Sequence, residues 1–189
     1  MSLRDRQRAD TRHRIQRQAL RLFTDRGYDA TTVNDVADAA GVSAMTVYRN
    51  FPTKEDLVLY DDFEQLTAST LTALPATGSL TDRIGRTTLA ILELAAANEH
   101  ELLLARLRLM IATPALQARH LDSQFRLQEA FVNAICADDP SLEYGARAAA
   151  SAVLGVTHTA LLRWAAADGE ADLVDLFREA FTAAFGHAP

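Results

Sequence analysis

The sequence predicts an all-α protein. Apolar residues recur at three- and four-residue steps along nearly the whole chain, no run alternates as a half-buried strand would, and Gly, Pro, Asn or Asp breaks bound each stretch. With 189 residues, 49% of them apolar, the chain can bury one sizeable core or join a small domain to a larger one. No apolar run approaches the roughly 18 residues that span a bilayer, and no apolar stretch follows the charged start, so a cytoplasmic protein with no membrane partner is expected. Cys136 is the only cysteine, so no intrachain disulfide forms, and it reads as a small buried hydrophobe.

The first helix carries Ile15, Ala19, Leu22 and Phe23 as an apolar stripe that ends before Gly27, and it braces the elements that follow. Its leading part is basic: eight arginines precede Gly27 against only Asp5, Asp10 and Asp25. Residues 1–60 total +2 and the remainder −8 within a net charge of −6, so positive charge is concentrated at the front. Such an arm can neutralise the phosphates of a nucleic acid, each lowering log K by roughly 0.9 per decade of salt.

The second helix follows from Val33, Val36, Ala37 and Ala40 on one face, with Thr32 as N-cap and Asp35 three residues on. Gly41 stops it, because glycine takes the left-handed conformation that closes a helix at no steric cost. Ser43 caps the third helix two residues later, so the pair crosses steeply. Val47 and Phe51 turn inward, leaving Ala44, Met45, Thr46, Tyr48, Arg49 and Asn50 outward on a helix whose width fits a major groove. Past Pro52, Thr53 opens a fourth helix, Lys54 to about Ala73, placing Lys54 and backbone N–H groups where a phosphate could dock. Leu57, Tyr60, Phe63 or Glu64, and Leu71 then turn into the C-terminal core, making this helix the mechanical link. Leu74 to Ser79 is the clearest break, and helices near 80–98, 101–112, 115–137, 141–167 and 171–185 follow.

Gly27-Tyr28-Asp29-Ala30-Thr31-Thr32-Val33, Ala37 through Gly41-Val42-Ser43, and Thr46-Val47-Tyr48-Arg49-Asn50-Phe51-Pro52-Thr53-Lys54-Glu55-Asp56-Leu57 resemble the DNA-binding domain of TetR-family regulators. The resemblance, almost continuous from Ile15 to Leu57, implies a nine-helix homodimer with a helix-turn-helix domain at 1–53 and a ligand-binding and dimerisation domain at 54–189. Carried over by position, it implies that Ser43, Ala44, Met45, Thr46 and Arg49 face bases and phosphates, and that Thr32, Tyr48 and Lys54 contact phosphates.

The last two helices read as an association surface. Ala146, Ala149, Ala150, Val153, Thr157, Ala160, Leu161 and Trp164 let a neighbouring helix approach closely, and Leu173, Leu176, Phe177, Ala180, Phe181, Ala184 and Phe185 form a second broad stripe. The family resemblance implies that these helices build a four-helix dimer interface, here through Ala150, Val153, Leu161, Trp164, Phe177 and Phe181. Phe63, Leu92, Leu107, Met110, Gln128, Phe131 and His158 supply apolar surface and polar anchors for a small-molecule pocket. Arg108 to Arg119, with Trp164, resemble the C-terminal domains of mycofactocin-type TetR regulators, which implies an effector of fatty acyl-CoA type.

Catalysis has no comparable support. The chain has no glycine-rich phosphate loop, no His-x-x-x-His pair with a glutamate between and no Cys/His cluster of metal-ligand spacing, so no cofactor is expected; Glu99-His100-Glu101 suits a cap or solvated turn. The expected function is a ligand-responsive repressor that binds a palindromic operator as a homodimer. An activator of the same fold and a helical small-molecule carrier or adaptor are the alternatives, and the carrier predicts no salt-sensitive duplex binding.

Overall fold

Every regular element among the described residues is helical. The computed structural model describes residues 3–60, 63–137 and 139–189, without the side chains of residues 3–5, 64 and 65, so Glu64's expected inward turn and Asp138 of the last predicted break lie outside the described residues. The helices are α1 (Leu3–Arg26), α2 (Val33–Ala40), α3 (Ala44–Asn50), α4 (Asp56–Leu59), α5 (Phe63–Ala73), α6 (Leu80–Ala112), α7 (Pro114–Cys136), α8 (Glu143–Ala166) and α9 (Leu173–Phe185), with a 3-10 turn at Pro140–Leu142.

The chain forms two compact units. One takes the described residues up to Tyr60 and adds Ala105–His120; the other takes those from Phe63 to Leu104 and from Leu121 onward. This division differs from a linear boundary after residue 53, and the reason lies in what α4 packs against. Leu57 and Val58 are fully buried in the first unit, Tyr28 Oη donates to Glu55 at 3.2 Å, and Gln16 Nε2 donates to the Tyr60 carbonyl at 2.8 Å.

The expected single helix from Lys54 to Ala73 is interrupted. Tyr60 is extended (φ −64, ψ 130), which separates α4 from α5. Carbonyls that a further turn would have used find other donors: Arg106 Nε reaches Val58 O at 2.8 Å, one of its terminal nitrogens reaches Leu59 O at 3.3 Å, and Gln16 takes Tyr60 O. Side chains thus satisfy the orphan acceptors of a helix end, and α4 can stop after four residues. Arg12 adds a guanidinium over the Tyr60 ring, 4.7 Å from its centroid.

In the second unit α8 and α9 pack as a pair. Ile84, Phe131, Ala146, Ala150, Val153, Trp164, Phe177 and Phe181 are all buried. A Cβ added at Gly85 would lie 2.5 Å from Phe181 Cε2, so the Phe181 ring of α9 packs directly on the α6 backbone. The expected break near Asn98 is a kink one residue later, where Glu99 leaves helical geometry (φ −136, ψ 27) inside α6. His100 is exposed, its ring edge-on to Trp164 at 4.9 Å.

Candidate nucleic-acid interface

The reading pair is set by three local devices. Thr32 is extended and its hydroxyl accepts from Asp35 N at 3.2 Å, while Asp35 Oδ2 accepts from Thr32 N at 2.7 Å and Thr32 Oγ1 at 2.5 Å, a complete capping box on α2. Gly41 lies in the left-handed region (φ 64, ψ 40), and its N–H with that of Val42 closes α2 onto Asp38 O and Ala37 O. Ser43 Oγ then accepts from Thr46 N at 3.2 Å and begins α3.

On α3, Val47 and the following Phe51 are buried while Met45 is 76% and Tyr48 50% exposed. Ser43 and Arg49 are also exposed, and Ala44, Thr46 and Asn50 are half-buried, with Asn50 Nδ2 donating to Thr46 O at 2.7 Å. Nothing within the first unit explains an exposed methionine and tyrosine beside an arginine. Together they form one outward surface with apolar, phenolic and cationic character, the combination that base edges and phosphates accept.

The other two residues assigned to phosphate are engaged internally. The Thr32 hydroxyl and N–H both point at Asp35, and Lys54 Nζ donates to Tyr28 O at 2.6 Å. Two of the N–H groups beside Lys54 are occupied as well: Thr53 N donates to Asp56 Oδ2 at 2.9 Å, and Asp56 N donates to Thr53 Oγ1 at 3.3 Å. The arginine-rich leading half of α1 runs beside the far end of α4, since Arg12 and Gln16 meet Tyr60 while Phe23 and Tyr28 sit at Lys54. The arginines on the Lys54 end of α1 are Arg21, in an exposed pair with Asp25 at 3.6 Å, and Arg26.

Two ionisations are displaced here. Burial, followed by the charge and acceptor oxygen of Glu55, holds the Tyr28 phenol well above its ordinary range, with Asp29 and Asp56 adding to the effect. The Asp35 carboxyl is held below its ordinary value by the Thr32 hydroxyl and then the Thr32 N–H. A depressed carboxyl stabilises the folded state fully above its unfolded value, and that contribution is lost as pH falls through the folded value. Thr32→Ala is therefore expected to lower the thermal midpoint at pH 7, with the gap from the parent narrowing below about pH 4. A gap that stays constant from neutral pH to pH 2 in calorimetry would remove the carboxylate from this account.

The residues expected at the dimer interface mostly lie inside the second unit. Ala150, Val153, Trp164, Phe177 and Phe181 are buried there and Leu161 is half-buried, because α8 and α9 use these faces on each other and on α6. Among the residues that α8 leaves exposed are Gly145, Ala148, Ala152, Gly155 and Thr159, at alternating steps of three and four, beside Tyr144, Ser151 and Arg163. Sequence reasoning missed this stripe, although its small residues at helical spacing were legible. The expected pocket residues divide between the units: Leu107 and Met110 belong to the first, and Phe63, Leu92, Gln128, Phe131 and His158 to the second. Gln128 Nε2 is already committed to Arg147 O and Ser151 Oγ, at 3.1 and 2.6 Å.

Known proteins match at two levels. The profile of the bacterial regulatory proteins of the tetR family matches residues 15–60, and that of the MftR C-terminal domain matches residues 79–186. The HTH-type transcriptional repressor KstR2 of Mycolicibacterium smegmatis is 42% identical over 52 residues, 28% of this chain and 25% of that protein. The HTH-type transcriptional regulator TcmR of Streptomyces glaucescens is 42% identical over 57 residues, 30% and 25% of the two chains. The alignments thus span about a quarter of these curated relatives. Among solved structures, Thermus thermophilus FadR, a transcriptional repressor of the same family in complex with lauroyl-CoA, aligns over 89% of this chain and 90% of its own, with TM-score 0.54 and 26% identity. Bacillus subtilis FadR in complex with stearoyl-CoA aligns over 92% and 98%, with TM-score 0.61 and 18% identity, a likeness of fold.

Proposed function

This chain belongs to the TetR family of bacterial regulatory proteins, and we propose that it is a ligand-responsive transcriptional regulator that binds a palindromic operator as a homodimer and represses until a small apolar or amphipathic effector releases it. The observation that carries this reading is the outward surface of α3, where Met45, Tyr48 and Arg49 stand exposed on a helix whose two ends and partner helix are capped in place. Ser43, Ala44 and Thr46 complete the base-facing set, and Tyr48 and Arg49 supply phosphate contacts. Two such helices related by a two-fold axis read half-sites about 34–36 Å apart. The exposed small-residue stripe of α8 is the dimer seam, since Gly, Ala and Thr at this spacing let a second α8 approach closely.

The effector is of fatty acyl-CoA type. What supports this is the resemblance of the C-terminal domain to mycofactocin-type regulators and the 26%-identical relative in complex with lauroyl-CoA. The chain gives coupling a covalent path, because α7 and the part of α6 beyond its kink at Glu99 each contribute residues to both units. The effector shifts the equilibrium only insofar as it binds one spacing of the reading helices more tightly than the other. No chemical step is required, and the site of action is the cytoplasm, with the DNA.

Fluorescence anisotropy of the purified protein on the intergenic duplex flanking its gene, across a salt series with unrelated duplex as competitor, tests the reading. Specific, steeply salt-dependent binding at two subunits per site, weakened by lauroyl-CoA, is the expected result. Absence of any preference over competitor would favour a carrier, and binding that ignores saturating acyl-CoA would remove the effector assignment alone.

A further inference from the structure

A threonine inside a helix can satisfy its own hydroxyl by donating to the carbonyl one turn earlier. Three buried threonines of the second unit do so: Thr67 Oγ1 donates to Phe63 O at 2.7 Å, Thr87 Oγ1 to Arg83 O at 2.8 Å and Thr157 Oγ1 to Val153 O at 2.7 Å. Thr88, the neighbour of Thr87 on α6, does not. It is 6% exposed, and its Oγ1 is the one buried side-chain nitrogen or oxygen among the described residues with no hydrogen-bond partner. Its own face of the helix is apolar, since Ile84 and Leu92, one turn to either side, and Ile91 and Ala95 are all buried. A hydroxyl in such a place can donate and accept, and a low-dielectric interior makes both unmet capacities costly. Valine has the same shape without that requirement, so folding alone gives no reason for the oxygen.

We propose that Thr88 determines effector specificity, and that the effector is an acyl thioester whose buried chain carries an oxygen, a hydroxy- or oxoacyl group, in preference to a saturated chain. The inference rests on the acyl-CoA reading and deepens it. Leu92, already assigned to the effector pocket, follows Thr88 by one turn, so the same face offers methylenes an apolar wall and a chain oxygen one hydrogen-bonding group. A saturated chain lying there leaves the hydroxyl unpaired, whereas a chain oxygen accepts its proton. A site holding an unmatched hydroxyl therefore discriminates against the ligand that lacks the partner.

Isothermal titration of the DNA-free protein with lauroyl-CoA, and with a series of hydroxy- and oxolauroyl-CoA in which the oxygen is moved along the chain, tests the proposal. At least one member is expected to bind about tenfold more tightly than lauroyl-CoA. Thr88→Val should erase that advantage while leaving lauroyl-CoA at least as tightly bound, and Thr88→Ser, which keeps the hydroxyl, should retain it. The ligand-free Thr88→Val protein should unfold at the same temperature as the parent or higher. A lower midpoint would mean that the hydroxyl is bonded in the resting protein and would overturn the premise, whatever ligand binds. If lauroyl-CoA binds and no oxygenated chain gains over it, this inference fails and the acyl-CoA reading stands. Equal weakening of every member by Thr88→Val would move the contact to the thioester common to all of them and overturn the chain-oxygen assignment. Binding of no member would defeat the acyl-CoA reading and this inference with it.

Discussion

Gly155→Glu is expected to leave the protomer folded and to abolish its dimer. Gly155 is exposed at the centre of the α8 stripe, and a Cβ built there meets nothing within 4 Å. Replacing a helix-interior glycine with a good helix former favours the helix by roughly 0.5–1 kcal/mol, so loss of association cannot be ascribed to a damaged fold. A two-fold axis near this position would bring two carboxylates together in a seam of Ala, Gly and Thr. Sedimentation at micromolar concentration should change from dimer to monomer. Operator affinity should fall by about 10²–10⁴-fold, because each reading helix loses the effective concentration that its tethered partner supplies. A substituted protein that still sediments as a dimer would place the seam on another face.

Trp164→Ala should produce the largest loss of stability. Trp164 is 1% exposed, its Nε1 donates to Ala171 O at 3.0 Å, and its ring edge lies under Gly169 in the tight α8–α9 corner. Truncation removes the indole's packing, leaves a cavity and frees a carbonyl, a combination that costs about 3–5 kcal/mol. That is a large part of the 5–15 kcal/mol typical of a folded protein. Urea unfolding followed by far-ultraviolet circular dichroism measures it, since the variant has no tryptophan to report by fluorescence. A loss below about 1 kcal/mol would mean that the corner collapses around the void or that its core lies elsewhere.

The helix-turn-helix was legible because its causes are local. Thr32, Asp35, Gly41 and Ser43 act on backbone groups within three or four residues of themselves, so their order in the chain contains the geometry. The inward turn of Ile15, Ala19, Phe23, Val47 and Phe51 follows from helical period alone. The end of α4 was not legible: it depends on Arg106 and Gln16, 48 and 44 residues away from the carbonyls they reach. A glutamine beside Ile15 in an apolar stripe was the available hint, but it named no partner.

Lys54 and α8 show the same boundary. Residue type and position marked Lys54 as a cation near the reading helix, but whether its ammonium faces solvent or Tyr28 depends on α1 and α4 lying alongside each other. Alanine and glycine on several sides of α8 let more than one face accept a neighbour, and only the packing of α9 assigns Ala150 and Val153 to the core and Ala152 and Gly155 to solvent. Local sequence was therefore enough for helices, caps, the glycine turn and the family. The end of α4, the partner of Lys54 and the free face of α8 were settled by contacts between residues distant in the chain, because each is a competition among partners that no local pattern ranks.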